Sequence, residues 1–226
     1  MDFLENFLAY PLEDLPFVVI TLIMAFTIHE FAHAYFSYKF GDSTAKDQGR
    51  VTLDPRSHLD IIGTLLILIA GFGWAKPVPV NRSRFKYPRL MGIIVSAAGP
   101  LSNLLLAFIG VLLFQILQAA GWIPGSSGIS VAVVHFYSIF VELNIVLFIF
   151  NLIPLPPLDG YRIIEDLAPN TLRARMSQYE HWGIFIFLIL ILVPLLRAIT
   201  ILPLFGLVDN IFIIFRDIIS IFLGGQ

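Results

Sequence analysis

The clearest chemistry in the chain lies in His29-Glu30-Phe31-Ala32-His33. On a helix, positions four apart share a face, so both imidazoles can reach one metal ion. The glutamate beside the first histidine can accept a proton from water that a Zn2+ ion has acidified to a pKa of about 7. A zinc hydrolase needs a third protein ligand and an open fourth position. Asp159, His58, Glu142 and His135 are the candidates. The sequence has no cysteine, which excludes thiolate ligands, cysteine nucleophiles and disulfides. Asp159 sits between the proline-rich run Pro154-Leu155-Pro156-Pro157 and Gly160. The prolines end a helix and the glycine permits a sharp turn. From spacing alone, Asp159 reads equally well as a metal ligand or as the N-cap of a helix over 161–167.

The elements that must carry these residues are hydrophobic. Of 226 residues, 58% are hydrophobic and 13% charged, and the mean hydropathy is +0.85. A soluble domain averages roughly 45–50% apolar and about 25% charged. A soluble enzyme, a disordered chain and a nucleic-acid binder are therefore disfavoured, and the net charge of −2 recruits no anionic partner. Apolar runs over 15–38, 90–117, 131–153, 182–201 and 204–223 read as membrane spans. Gly99-Pro100 is expected to bend the second, and Asp209, Arg216 and Asp217 weaken the last. The run 61–72 is too short for an ordinary crossing and suits a re-entrant segment. Pro77 and Pro79 make 73–80 extended or a loop, and 50–53 reads as a short strand.

Basic residues cluster in 39–60, in 76–89 and after the 131–153 run, whereas 118–130 carries no charge. All three basic stretches share the cytoplasmic side only if 61–72 turns back. Residues 1–14 hold acids and no basic residue, unlike a signal peptide. The expectation is one all-α polytopic membrane domain over 1–226, with about five transmembrane helices and a re-entrant or extended segment near 50–80. Its N-terminus lies outside and its C-terminus inside. His29 then sits ~21 Å from the outer end of its span. Ionisable groups at that depth usually serve function and face the bundle or a wet cavity. Polar packing is the plain alternative. Haem ligation needs imidazoles on opposite faces of the ring and leaves Glu30 idle.

Two motifs together resemble the site-2 protease family of zinc intramembrane metalloproteases. The first is His29-Glu30-x-x-His33 inside a span; the second is Asn151-x-x-Pro154-x-Pro156-Pro157-x-Asp159-Gly160 at the end of a later one. Gly73-Trp74-Ala75-Lys76-Pro77-Val78-Pro79 and Ala98-Gly99-Pro100-x-x-Asn103 are also similar to this family. The likeness is greatest to its short prokaryotic members, without a PDZ or CBS domain, and covers most of 15–165. It implies one Zn2+ per chain held by His29, His33 and Asp159, with Glu30 as catalytic base. It also implies that Asn151 hydrogen-bonds a substrate carbonyl or its oxyanion, a contact worth ~3 kcal/mol. The substrate would be a transmembrane protein or peptide, the setting the lipid bilayer of a prokaryotic plasma membrane, and nucleic acid no partner.

Other polar residues read more plainly. Asn144 is structural, and His58 reads as a surface histidine near the interface in preference to a partner or extra ligand of the metal. The 50–80 segment could pair with an unwound substrate strand or simply pack at the membrane edge. Two other function classes compete. A metal or proton-coupled transporter would use the same His/Asp cluster, but no inverted repeat is visible. A non-catalytic binder would have no need of Glu30. Gly92 and Ser96, at small-xxx-small spacing, suit internal packing or a homo-oligomer equally.

Overall fold

A computed structural model describes residues 9–70, 73–123 and 128–223. Among the described residues the chain is all-helical, with no strand. Three helices are long and apolar enough to cross a membrane: α1 (Leu15–Lys39), α4 (Pro88–Ala119) and α5 (Gly128–Asn151). Shorter helices are α2 (Thr44–Asp47), α3 (Ile61–Ala70), α6 (Asp159–Leu167), α8 (Pro194–Thr200) and α9 (Leu202–Phe205). α7 (Asn170–Leu192) and α10 (Leu207–Phe222) complete the set, with 3-10 turns at Pro55–Ser57 and Arg82–Arg84.

The polytopic all-α expectation holds. Among the described residues, three helices qualify as spans by length and composition, or four if α7 and α8 form one span, beside the about five of the sequence. The axes of α7 and α8 meet at 98°. Val193 is extended at that break, the conformation a following proline enforces. α10 has 16 residues, about 24 Å of helix, against a hydrocarbon core of roughly 30 Å. α3 has only ten residues, in line with the short run read as re-entrant. The strand expected over 50–53 does not form. Its groups are recruited elsewhere: Arg50 N donates to Ala45 O, and Thr52 O accepts from His58.

α4 is the central element, packed against α1, α5, α6 and α10. It has 32 residues, about 48 Å at 1.5 Å per residue. It runs unbroken through Pro100. One apolar cluster joins α4, α5 and α10 through Ala107, Val111, Phe140, Ile145 and Ile219. A second joins α7 and Ile201 to Ile153 and Leu158, in the turn after α5. A third packs Val18, Leu22 and Phe26 of α1 on Ile67 of α3. Gly92 and Ser96 are both buried within the fold; a Cβ on Gly92 would lie 2.3 Å from Asp166 Oδ2. That pair therefore serves packing inside the chain.

Residues 159–180 form α6 and the polar start of α7. α6 buries its acids inward. Glu165 and Asp166 are almost fully covered, and Arg82, Arg162 and Arg173 pair with them. Burying a carboxylate is costly unless it is paired in this way.

Candidate metal centre

α1 carries His29, Glu30 and His33, all buried. The i, i+4 spacing puts both rings on one face, with centroids 4.7 Å apart. The third member arrives through the turn after α5. Proline has no N–H and cannot extend α5, so the chain turns back through Pro154–Pro157. α6 then starts at Asp159 hard against that turn: a Cβ on Gly160 would stand 2.2 Å from Leu152 O. The N-cap of α6 is Leu158, and no side chain caps it. Asp159 is thus not used as a cap, and its carboxylate faces the two histidines instead.

The ligating atoms converge. His29 Nε2 lies 3.0 Å from His33 Nε2. Asp159 Oδ2 lies 3.1 Å from His29 Nε2 and 3.3 Å from His33 Nε2. Three ligands about 2.0–2.1 Å from a tetrahedral ion would lie ~3.3 Å apart, so the triangle has the right size. Among the described residues this is the one group of three metal-ligating side chains so gathered. His58, Glu142 and His135 are not in it; His135 pairs with Asp14 at 2.8 Å.

The hydrogen bonds behind the rings settle which atoms face inward. His33 Nδ1 lies 2.7 Å from Val95 O, a carbonyl that can only accept, so that nitrogen carries the hydrogen. His29 Nδ1 lies 2.7 Å from Asn103 Oδ1. The Asn103 amide nitrogen is in turn committed to Asn144 Oδ1 and Ala25 O. The Asn144 amide nitrogen donates to Phe140 O. This chain of donors and acceptors orients Asn103 with its oxygen toward His29. Each neutral ring therefore turns a bare Nε2 lone pair inward. Two lone pairs and a carboxylate oxygen without a hydrogen-bond partner meet at one point. Three such donor atoms gathered around one centre form a group that could hold a metal ion.

α4 supplies the wall behind this group. Gly99 has no side chain, and a Cβ there would overlap both rings. Glu30 Oε2 accepts a 3.0 Å bond from Val78 N of the 73–80 stretch, which forms neither helix nor strand. A cavity of about 1040 Å3 opens onto His29, Glu30, His33 and Asp159, and Asn151 also lines it. One Asn151 amide hydrogen goes to Leu147 O at 2.9 Å. The other has no hydrogen-bond partner among the described residues, on a residue half-buried at the cavity wall.

Two readings change. His58 is fully buried, not a surface histidine. Its ring Nε2 donates to Thr52 O, so a nearby carbonyl takes the place of solvent. Asn144 does pack inside the fold, and it also reaches the site through Asn103. The orienting role of Asn103 was hidden in the sequence. Its one signal was its place in the Ala98-Gly99-Pro100-x-x-Asn103 stretch, which does not name its partner.

Comparison with known proteins bears on the family of the chain. Residues 117–194 match the family model described as peptidase family M50. The chain is 58% identical over 192 residues to "Putative zinc metalloprotease YwhC" of Bacillus subtilis, covering 85% of this chain and 87% of that one. It is 32% identical over 190 residues to Rip2 of Mycobacterium tuberculosis strain H37Rv, described in the same words, covering 80% and 68%. MJ0611 of Methanocaldococcus jannaschii, again so described, is 29% identical over 162 residues, covering 70% and 75%. No solved structure matches the chain at a significant level. By its identity to these relatives and the match to the family model, the chain belongs to peptidase family M50, the site-2 protease family.

Proposed function

We propose that this protein is a zinc-dependent intramembrane endopeptidase that cuts peptide bonds in or near transmembrane segments of membrane proteins. The observation that carries the reading is the convergence of His29 Nε2, His33 Nε2 and Asp159 Oδ2, with both Nδ1 hydrogens turned outward and Glu30 beside them. Zn2+ bound there supplies Lewis acidity, which polarises a carbonyl and lowers the pKa of water to about 7. His29, His33 and Asp159 would hold it at the cavity wall.

Glu30 accepts a proton from the attacking water as the oxygen bonds to the scissile carbonyl carbon. It returns that proton to the amide nitrogen as the C–N bond breaks, releasing an amine and a carboxylic acid. The Val78 N–H holds one carboxylate oxygen, and the other is left for this exchange. The free amide hydrogen of Asn151 stabilises the oxyanion that develops on the carbonyl oxygen.

A substrate helix must unwind first, because helical carbonyls are engaged in hydrogen bonds. Residues 75–79 offer an edge for the unwound chain. Lys76 and Val78 bond inward, and alternate residues of an extended chain face the other way. Pro77 and Pro79 on that free edge have no N–H, so they offer carbonyls alone to substrate amides. The setting is the plasma membrane of a prokaryotic cell. A transporter built on the same cluster draws no support from the relatives, which are described as metalloproteases.

Bound zinc and cleavage of a panel of single-span membrane peptides, measured in detergent for wild type and Glu30→Gln, test the reading. One zinc per chain in both, with cleavage only in wild type, is the expected result. Absence of zinc from the wild type, or equal cleavage by the variant, would overturn it.

A further inference from the structure

Arg50 and His58 lie outside the metal group, and no step above uses them. Both are buried, Arg50 at 5% exposure and His58 at 0%. Burial pushes the His58 pKa below its ordinary value, so the ring is neutral, with its hydrogen on the Nε2 that donates to Thr52 O at 2.8 Å. The main-chain oxygen of His58 accepts from Lys76 N at 2.8 Å. Arg50 Nη2 donates to Lys76 O. Both main-chain groups of Lys76 are therefore gripped from one side. In an extended chain the residue two further on turns its N–H to that same side. That N–H belongs to Val78, and it meets Glu30 Oε2 at 3.0 Å.

Arg50 is a costly residue to bury here. No carboxylate pairs with it within 4.0 Å among the described residues, and its Nε has no hydrogen-bond partner there. The acid whose charge it feels is Glu30. A buried cation without an ion pair is weak support for stability, which points to a task at the site.

We propose that Arg50 and His58 are positioning residues for Glu30: together they fix Lys76, and so hold the Val78 N–H against the Glu30 carboxylate. The proposal rests on Glu30 acting as the base. Without the clamp the 76–78 stretch slips and the carboxylate loses its fixed orientation. A misplacement of about 1 Å at a reacting group costs roughly 10²-fold in rate.

The test uses the full chain in detergent, with Arg50→Met, Arg50→Lys, His58→Leu and His58→Gln. Three quantities are read: zinc per chain, hydrogen exchange over 76–80, and kcat and KM on the single-span peptide that wild type cleaves fastest. Pro77 and Pro79 have no amide hydrogen, so exchange in this stretch reports Lys76, Val78 and Val80 alone. Arg50→Met and His58→Leu should keep zinc, lose protection at 76–78, and lower kcat by roughly 10²-fold with KM little changed. Arg50→Lys and His58→Gln retain a donor and should recover much of both protection and kcat. Lost protection with unchanged kcat would overturn the proposal, as would a rise in KM at constant kcat or loss of zinc together with activity. Should wild type cleave no peptide, the proteolytic reading fails separately, and unchanged protection in Arg50→Met would overturn the clamp as well.

Discussion

A Cβ on Gly99 would stand 2.3 Å from His33 Nε2 and 2.6 Å from His29 Nε2, so the bare main chain of α4 forms one wall of the metal group. This fixes the expected outcome of Gly99→Ala. Alanine is a better helix former than glycine by about 1 kcal/mol, so the helix itself gains. The loss falls on the two rings, which must move off their shared centre. Helix content by circular dichroism should be unchanged while zinc per chain falls. Full zinc occupancy in Gly99→Ala would refute the close packing.

Asn103 holds the tautomer of His29 from behind, and Asn144 holds Asn103. Removing such a partner commonly lowers metal affinity about 10–100-fold. Asn103→Leu should therefore release zinc to a competing chelator at a lower chelator concentration. Asn144→Leu should do the same to a smaller extent, because it acts one bond further away. Equal affinity in Asn103→Leu and wild type would count against this relay.

Arg82 ties the 3-10 turn after the extended stretch to α6, through Glu165 Oε2 and Asp166 Oδ2, each at 3.2 Å. α6 begins with Asp159, so the pairing also anchors the helix that presents the third ligand. Removing one partner of a buried ion pair costs about 3–5 kcal/mol. Arg162 and Arg173 stay on the same two carboxylates, so Arg82→Leu should fall at or below the low end of that range. The expected reading is a lowered unfolding midpoint in detergent, with weaker zinc retention. An unchanged midpoint would mean that the other two arginines suffice.

Asp42 makes stability depend on acid. Burial alone would raise its pKa. Hydrogen bonds from the Thr44 hydroxyl, the main-chain amides of Asn81 and Thr44, and the Ser37 hydroxyl outweigh that and hold it below the ordinary value. A folded pKa below the unfolded one gives stabilisation that is complete above the unfolded value of about 4. It is lost as pH falls through the folded value. The difference in unfolding midpoint between wild type and Asp42→Asn should therefore be largest near neutral pH and shrink in acid. A difference that stays constant with pH would argue against this linkage.

The sequence determined what local pattern can determine. Apolar runs of span length require helices in a bilayer, because each backbone group must bond within its own segment. His29 and His33 share a face by helical period alone, and the prolines before Asp159 had to end α5. The tertiary structure decided matters that depend on distant contacts. Spacing left Asp159 between cap and ligand; its orientation came from α6 packing on α4. His58 looked superficial because nothing local shows that Thr52 O and Lys76 N close around it. Asn103 and Val78 gained their roles only when α4 and the 73–80 stretch came to lie against α1. The 98° bend between α7 and α8 is likewise tertiary, since hydropathy gives only the length of an apolar run. Periodicity and chain breaks are written in neighbouring residues, whereas the partner of a buried polar group is chosen by whichever segment packs against it.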